Sequence, residues 1–189
     1  MNKPFQKIYF DPYLFFSLFL LSTLGLFFLF SASNSDISIV SKQFVFIVAG
    51  FLIMILVSQP DPDIFRRTSG LFLVFSLLLL GITYLVGPEI NGAQRWVRVG
   101  AFSFQSSELL KLAVPIFLAN FLFNKKLPIQ RKEIIISLLV ICCCFFFVFR
   151  QPDLGTALII ACSGLFVLFL SGLSWTFIGG SFVLFIISS

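Results

Sequence analysis

Between Glu133 and Arg150 the chain reads IIISLLVICCCFFFVF, sixteen residues without a charge. A helix needs about 20 mostly apolar residues to cross the hydrocarbon layer of a membrane. The run lacks the alternation of polar and apolar residues that a membrane β-strand would show. This stretch therefore predicts a transmembrane helix near residues 134–150.

The same pattern recurs along the whole chain of 189 residues. Apolar residues make up 59% and charged residues 11%, whereas a soluble domain has about 25% charged residues. This composition excludes a soluble enzyme, a disordered chain and a coiled coil. We predict an all-α polytopic helix bundle, a single transmembrane domain over residues 1–189. Its six full spans are expected near residues 13–31, 43–60, 69–87, 105–123, 134–150 and 154–171, with a seventh beginning near Trp175 and cut off by the chain end.

The Lys and Arg residues between the spans predict the orientation, because they concentrate on the cytoplasmic side. With the N-terminus inside, eight cations fall on the inner side and five on the outer side. The first span resembles a signal peptide, but its apolar run exceeds the about 7–15 residues of a signal core. A retained first helix is therefore the favoured interpretation. The inner cations are Lys3, Lys7, Arg66, Arg67, Lys125, Lys126, Arg131 and Lys132, and the outer ones are Lys42, Arg95, Arg98, Lys111 and Arg150.

The segment from Gly87 to Ser107 mixes arginines with aromatic residues on the predicted outer side. One interpretation is an interfacial segment, since Trp96 suits the headgroup level and arginine reaches to water. The other is that Arg95 and Arg98 meet an anionic headgroup, because guanidinium groups match phosphate oxygens. Two arginines on the side that disfavours positive charge favour the second interpretation.

The fourth span opens with an acid and a base three residues apart, Glu108 and Lys111. Ser106 or Ser107 is expected to cap this helix, and Glu108 suits its positive end. Lys111 gains nothing there, and an intramembrane charge costs at least about 2.5–3.5 kcal/mol. Residues three apart share a helix face, so we expect the two to pair and to line a polar cavity. Pro115 adds to this, because it has no N–H for the carbonyl of Lys111.

The break between the fifth and sixth spans reads RQPDLGT, residues 150–156. Pro152 ends the fifth helix and Asp153 is a natural N-cap for the sixth. Gly155 is expected to permit a close helix neighbour. Asp153 would lie on the same membrane side as Arg95 and the Glu108–Lys111 pair, so polar groups from three segments are expected at one surface.

Three segments resemble the signature motifs of the SEDS family of membrane proteins. They are NGAQRW at residues 91–96, FSFQSSELLK at 102–111 and QPDLGTA at 151–157. GAQRW together with LFLSGLSW at 168–175 is most similar to the rod-shape (RodA-type) branch rather than the division branch. Ser106 departs from the family, which usually has Pro there.

The resemblance implies a peptidoglycan polymerase for cell-wall synthesis, cell shape and elongation. Such enzymes join lipid II into glycan strands on the outer face of the cytoplasmic membrane and work with a class B penicillin-binding protein. Membrane lipid is a further expected partner, and nucleic acid is not. The resemblance places Arg95, Trp96, Arg98 and Gln105 at the substrate, with Glu108, Lys111 and Asp153 in supporting roles. It implicates a divalent cation, Mg or Mn, which would have to bind carboxylates because the sequence has no His.

The resemblance also predicts that this chain is the N-terminal portion of a longer bundle. Family members have about ten spans, and their proposed catalytic Asp follows the seventh, so no catalytic residue is identified in this chain. The residues present would position substrate and stabilise charge. The alternatives are a lipid-precursor flippase, which also needs a polar cavity among broken helices, and a non-catalytic remnant.

Overall fold

The computed structural model describes residues 11–88, 94–99, 102–127 and 129–172, without the side chains of residues 98, 99 and 102. Contacts divide the chain into two compact units, Met1–Asp61 and Pro62–Ser189. The single domain expected for residues 1–189 stays a prediction. The elements are α1 (Pro12–Ala32), α2 (Ile37–Ser58), α3 (Pro62–Val86), β1 (Trp96–Val99), β2 (Phe102–Gln105), α4 (Ser107–Phe123), α5 (Arg131–Phe149) and α6 (Leu154–Leu170).

The first unit contains two apolar helices, α1 and α2, and each begins at an aspartate. The carboxylate of Asp11 accepts hydrogen bonds from the backbone N–H groups of Tyr13 and Leu14 at 2.9 and 3.2 Å. Asp36 accepts one from the N–H of Ser38 at 2.8 Å. These bonds satisfy N–H groups that have no partner within the helix. No residue of either helix is buried, and an apolar surface on all sides is typical of a membrane span.

The second unit is built around α4, which packs against α3, α5 and α6. Leu110, Val114 and Leu118 of α4 are fully buried, and their spacing of four residues places them on one helix face. The buried face of α3 contains both polar and apolar residues. Its members are Ser69, Leu73, Ser76, Leu80 and Thr83.

α5 and α6 approach closely at Gly164. A Cβ at this position would lie 2.7 Å from Cγ1 of Ile141, and 3.3 Å from Cδ1 of Leu118. Gly155, where the sequence predicted a close neighbour, is exposed, and a Cβ there would meet no atom within 4 Å. The prediction for Gly155 was wrong because this residue lies on the outward side of the first turn of α6, whereas Gly164 faces the core.

Helices occur at all six predicted spans, which confirms the all-α polytopic membrane fold. α1, α2, α3 and α5 are long and apolar enough to cross a membrane, and α6 is apolar with 17 residues. α4 also has 17 residues and carries the two charges. α2 and α3 begin at Ile37 and Pro62, earlier than expected, because Asp36 caps one helix and Pro62 suits the first position of the other. The seventh span lies outside the described residues.

A β-hairpin lies between α3 and α4, in the segment that was predicted to be an outer loop. β1 and β2 are antiparallel, with Trp96 opposite Gln105 and Arg98 opposite Ser103. A signal for the hairpin was present in the sequence. The runs WVRV and FSFQ are rich in β-branched and aromatic residues, and only Gly100 and Ala101 separate them.

Candidate functional site at the hairpin end

Two hydrogen bonds between segments distant in sequence hold the hairpin to the turn between α5 and α6. Nη2 of Arg95 donates to the carbonyl oxygen of Pro152 at 2.7 Å. Nε2 of Gln105 donates to Oδ2 of Asp153 at 2.5 Å. The start of β1 and the end of β2 are therefore both attached to one turn. We call this region the hairpin end; it comprises Arg95, β1, β2, the first turns of α4, and residues 150–153.

Asp153 has both carboxylate oxygens engaged. Oδ2 accepts the bond from Gln105, and Oδ1 accepts a bond of 3.2 Å from the backbone N–H of Thr156. The second bond confirms Asp153 as the N-cap of α6. A carboxylate held by two donors has a defined orientation, which a positioning group in a substrate site requires.

Gln151 anchors the same turn to α3 and was not assigned a role from the sequence. Its side chain is buried, and Nε2 donates to the backbone carbonyl of Leu80 at 3.3 Å. A buried amide needs a partner, because leaving it without one costs about 1–3 kcal/mol. The sequence did contain a signal for this anchoring role, because Gln151 is an amide residue beside Pro152 and Asp153, between two apolar spans.

Glu108 and Lys111 form the predicted ion pair, with 2.7 Å between Oε2 and Nζ. The Glu108 side chain is 47% exposed and that of Lys111 is 26% exposed. Pro115 lies inside α4, four residues after Lys111, as expected. The polar cavity beside the pair stays a prediction. Two cavities of about 300 and 260 Å³ are lined by residues of α1 and α2.

The predicted side-chain cap of α4 was wrong. Ser106 occupies the N-cap position but makes no capping hydrogen bond. Its φ of −62° and ψ of −32° are helical, whereas a capping side chain needs an extended residue. The hydroxyls of Ser106 and Ser107 are both buried without a hydrogen-bond partner.

The structure places the other predicted substrate residues on or beside β1. Arg95 is half-buried, and its Nε is enclosed without a partner. Trp96 is half-buried at the start of β1, opposite Gln105. Arg98 has its backbone in β1, and its side chain lies outside what is described. The hairpin end thus brings together Arg95, Trp96, Gln105 and Asp153, while the Glu108–Lys111 pair follows on α4.

The divalent cation stays a prediction, and the described residues do not by themselves fit one. Among them, no group of three His, Cys, Asp or Glu side chains could hold a metal ion. Oxygen ligands are what Mg²⁺ requires, but Asp153 is bound by two donors and Glu108 by Lys111.

Curated relatives of this chain are peptidoglycan glycosyltransferases. MrdB of Escherichia coli K12 is 36% identical over 179 residues, which cover 95% of this chain and 48% of MrdB. RodA of Treponema pallidum is 35% identical over 169 residues, covering 86% of this chain and 39% of that protein. The chain thus spans less than half the length of these two relatives.

Solved structures share the fold. The crystal structure of the rod shape determining protein RodA of Thermus thermophilus aligns with a TM-score of 0.84 at 29% identity, covering 96% of this chain and 60% of that one. A chain of a peptidoglycan synthase complex, solved to show how polymerization and crosslinking are coordinated, aligns with a TM-score of 0.86 at 29% identity, covering 96% and 54%.

The match to a protein family extends over nearly the whole sequence, residues 12–189, and the family is described as cell cycle proteins. The motifs that carried the resemblance lie within this range, and residues of three of them, NGAQRW, FSFQSSELLK and QPDLGTA, meet at the hairpin end. This chain belongs to the FtsW/RodA/SpoVE family.

Proposed function

We propose that this chain is the part of a RodA-type peptidoglycan glycosyltransferase that positions lipid II for polymerisation into glycan strands, in cell elongation and cell-shape maintenance. The proposed activity is supported by the similarity to MrdB and RodA, which are peptidoglycan glycosyltransferases. The observation that carries the proposal is the attachment of the hairpin to the turn between α5 and α6, through Arg95 and Gln105. This attachment gathers polar groups at one end of an apolar bundle.

Arg95 is the proposed contact for the lipid diphosphate. A guanidinium group has five N–H donors and stays charged, and the described contacts use one of its nitrogens on Pro152. The bond to Pro152 fixes the side chain, so less conformational freedom is lost when a phosphate oxygen binds. Trp96 and Arg98 belong to β1, which follows Arg95 directly, and complete the proposed substrate surface.

The Glu108–Lys111 pair and Asp153 are proposed to support the chemistry. Lys111 supplies a cation that offsets the charge developing on the diphosphate leaving group, and Glu108 holds Lys111 in place. Asp153, oriented by Gln105, fixes the geometry of the turn beside the substrate. Abstraction of the acceptor proton, worth typically about 10²–10⁴-fold, is not assigned to these residues.

The proposed orientation places the hairpin end on the outer face of the cytoplasmic membrane. The excess of Lys and Arg on the opposite side supports this orientation. The proposed partner is a class B penicillin-binding protein, because a structural neighbour comes from a complex that couples polymerization to crosslinking. In such a complex, the new strand would pass directly to the transpeptidase.

The proposal is tested with purified full-length protein and labelled lipid II in detergent, where there is no membrane to cross. The wild type should make glycan polymer. Asp153→Asn should lower polymer formation by about 100-fold, the cost of a misplaced group. Asp11→Asn is the matched control, since Asn caps helices as well as Asp does and Asp11 lies far along the chain from the site; this variant should keep wild-type activity. Transport of lipid II across vesicles without polymer in detergent would instead identify a flippase.

A further inference from the structure

A second charged cluster lies where α3 begins, α4 ends and α5 begins. Cζ of Arg66 is 4.2 Å from the centre of the Phe123 ring. Nζ of Lys125 is 5.4 Å from the centre of the Phe121 ring and 3.9 Å from Oε1 of Glu133. These contacts join three segments into one surface, which we call the basic end. Because α4 runs from the hairpin end to Phe123, the basic end is the opposite end of the second unit.

Positive charge exceeds negative charge at the basic end. Two of its acids are already neutralised, since Asp63 pairs with Arg66 at 3.2 Å and Glu133 with Lys125. Three further cations are exposed and form no ion pair within the part of the chain that the structure describes. These three are Lys126, Arg131 and Lys132.

Exposed apolar side chains stand directly beside these cations. Phe123 is 63% exposed and Leu127 is 69% exposed, at the point where α4 leaves the apolar bundle. Exposed apolar side chains beside lysines and arginines at a helix end are expected where lipid headgroups meet the hydrocarbon layer, because the long cationic side chains reach to the headgroups. An acidic peptide in water would pair with the cations but would leave these two side chains uncovered, whereas a phospholipid would cover both kinds of group.

We propose that the basic end binds the headgroup phosphate of an anionic phospholipid, with the lipid's acyl chain against Phe123 and Leu127. Arg66 and Lys125 are held in place by contacts with aromatic rings and carboxylates, and they form the base of the site. Lys126 and Arg131 supply the unpaired charge for the phosphate. Basic surfaces between membrane helices are known to select such headgroups. The inference does not rest on the proposed catalytic activity, because it concerns the other end of the unit.

The test measures lipid retention by the purified chain in detergent, using native mass spectrometry. The probes are phosphatidylglycerol and phosphatidylcholine with identical acyl chains, and polyglutamate as a soluble acidic competitor. Lys126→Gln/Arg131→Gln removes two exposed cations of the basic end. Lys42→Gln is the control, because it removes an exposed cation that belongs neither to the basic end nor to the hairpin end. Circular dichroism verifies that both variants keep the helical fold.

The wild type should retain phosphatidylglycerol in preference to phosphatidylcholine, and the preference should disappear at high salt. The basic-end variant should weaken phosphatidylglycerol binding by about 25-fold, from about fivefold for each cation near the headgroups. The control should bind as the wild type does. Equal weakening in both variants, unchanged binding in the basic-end variant, or tighter binding of polyglutamate than of phosphatidylglycerol would each overturn the proposal.

Discussion

Glu108 and Lys111 show how single residues make charge tolerable in an apolar bundle. Their tips lie 2.7 Å apart, and each offsets the cost of the other. Since both belong to α4, the pair does not depend on the packing of any neighbouring helix. The buried face of α4 is made by other residues, so the pair can be altered without disturbing Leu110 or Leu118.

Lys111→Ala should lower the free energy of unfolding by about 1–2 kcal/mol, between the value of an exposed pair and that of a charge at the bilayer centre. The physical reason is that Glu108 is left without its partner. Thermal unfolding in detergent measures the change. Lys126→Ala is the control, because Lys126 is exposed and forms no ion pair in the described residues. The exchanged pair Glu108→Lys/Lys111→Glu should recover most of the stability; no recovery would show that each residue has a separate ligand.

Asp36 is a charged residue outside the membrane spans, and its carboxylate caps α2. The hydrogen bond from the backbone of Ser38, followed by that from the Ser38 hydroxyl, holds the pKa of Asp36 below its ordinary value of 3.8. The charged carboxylate is therefore favoured in the folded helix. Its contribution to stability is present above pH 3.8 and is lost as the pH falls through the lowered pKa.

A carboxyl NMR titration of the protein in micelles should report this lowered pKa for Asp36. Ser38→Pro removes the backbone N–H that is the main cause, so in this variant the pKa should return toward 3.8. Ser41→Ala is the suitable control and should leave the titration unchanged. An Asp36 pKa at or above 3.8 in the wild type would contradict the capping geometry.

At the scale of elements, the contact between α5 and α6 depends on the missing side chain of Gly164. Gly164→Leu should lower the free energy of unfolding by about 1–3 kcal/mol, the usual cost of overpacking, because Ile141 and Leu118 occupy the space. Gly155→Leu, in the same helix, meets no atom within 4 Å and should leave stability unchanged or raise it. Thermal unfolding of the two variants side by side checks the difference, and equal losses would contradict the close approach.

The hairpin should loosen when its bond to Asp153 is removed. Gln105→Ala loses a hydrogen bond to a charged acceptor, worth about 1.5–3 kcal/mol, so we expect the β1 and β2 amides to exchange with deuterium at least about tenfold faster. Ser103→Ala is the control, since Ser103 is exposed on the same strand. Hydrogen exchange with mass spectrometry measures both variants. Protection that is equal in the two would mean that Gln105 does not hold the hairpin.

At the scale of the whole molecule, the orientation can be checked with reporter fusions. Alkaline phosphatase is active only outside the cytoplasm, so a fusion after residue 99 should be active and a fusion after residue 127 inactive. The physical reason is the excess of Lys and Arg between α4 and α5. The reverse result would place the hairpin end in the cytoplasm and would remove the proposed access to lipid II on the outer face.

The sequence predicted the spans well because a stretch without charge is a direct requirement of the hydrocarbon layer. It predicted the starts of α2 and α3 less well, because the helices continue past Lys42 and Arg66 into the headgroup region, where charge is tolerated. The bonds from Arg95 to Pro152 and from Gln105 to Asp153 join residues 57 and 48 positions apart. No local pattern encodes such a distance, so the sequence predicted that the three segments gather at one surface but not which atoms meet.

Both bonds of the hairpin reach forward along the chain, to a turn that is synthesised after α5. A growing chain therefore exposes an untethered hairpin until α5 has been inserted. If α5 entered in the wrong direction, the turn would emerge on the opposite face, and neither Arg95 nor Gln105 could reach it. Closure of the hairpin is thus conditional on the correct insertion of a later segment, so a closed hairpin marks a chain that has been threaded correctly.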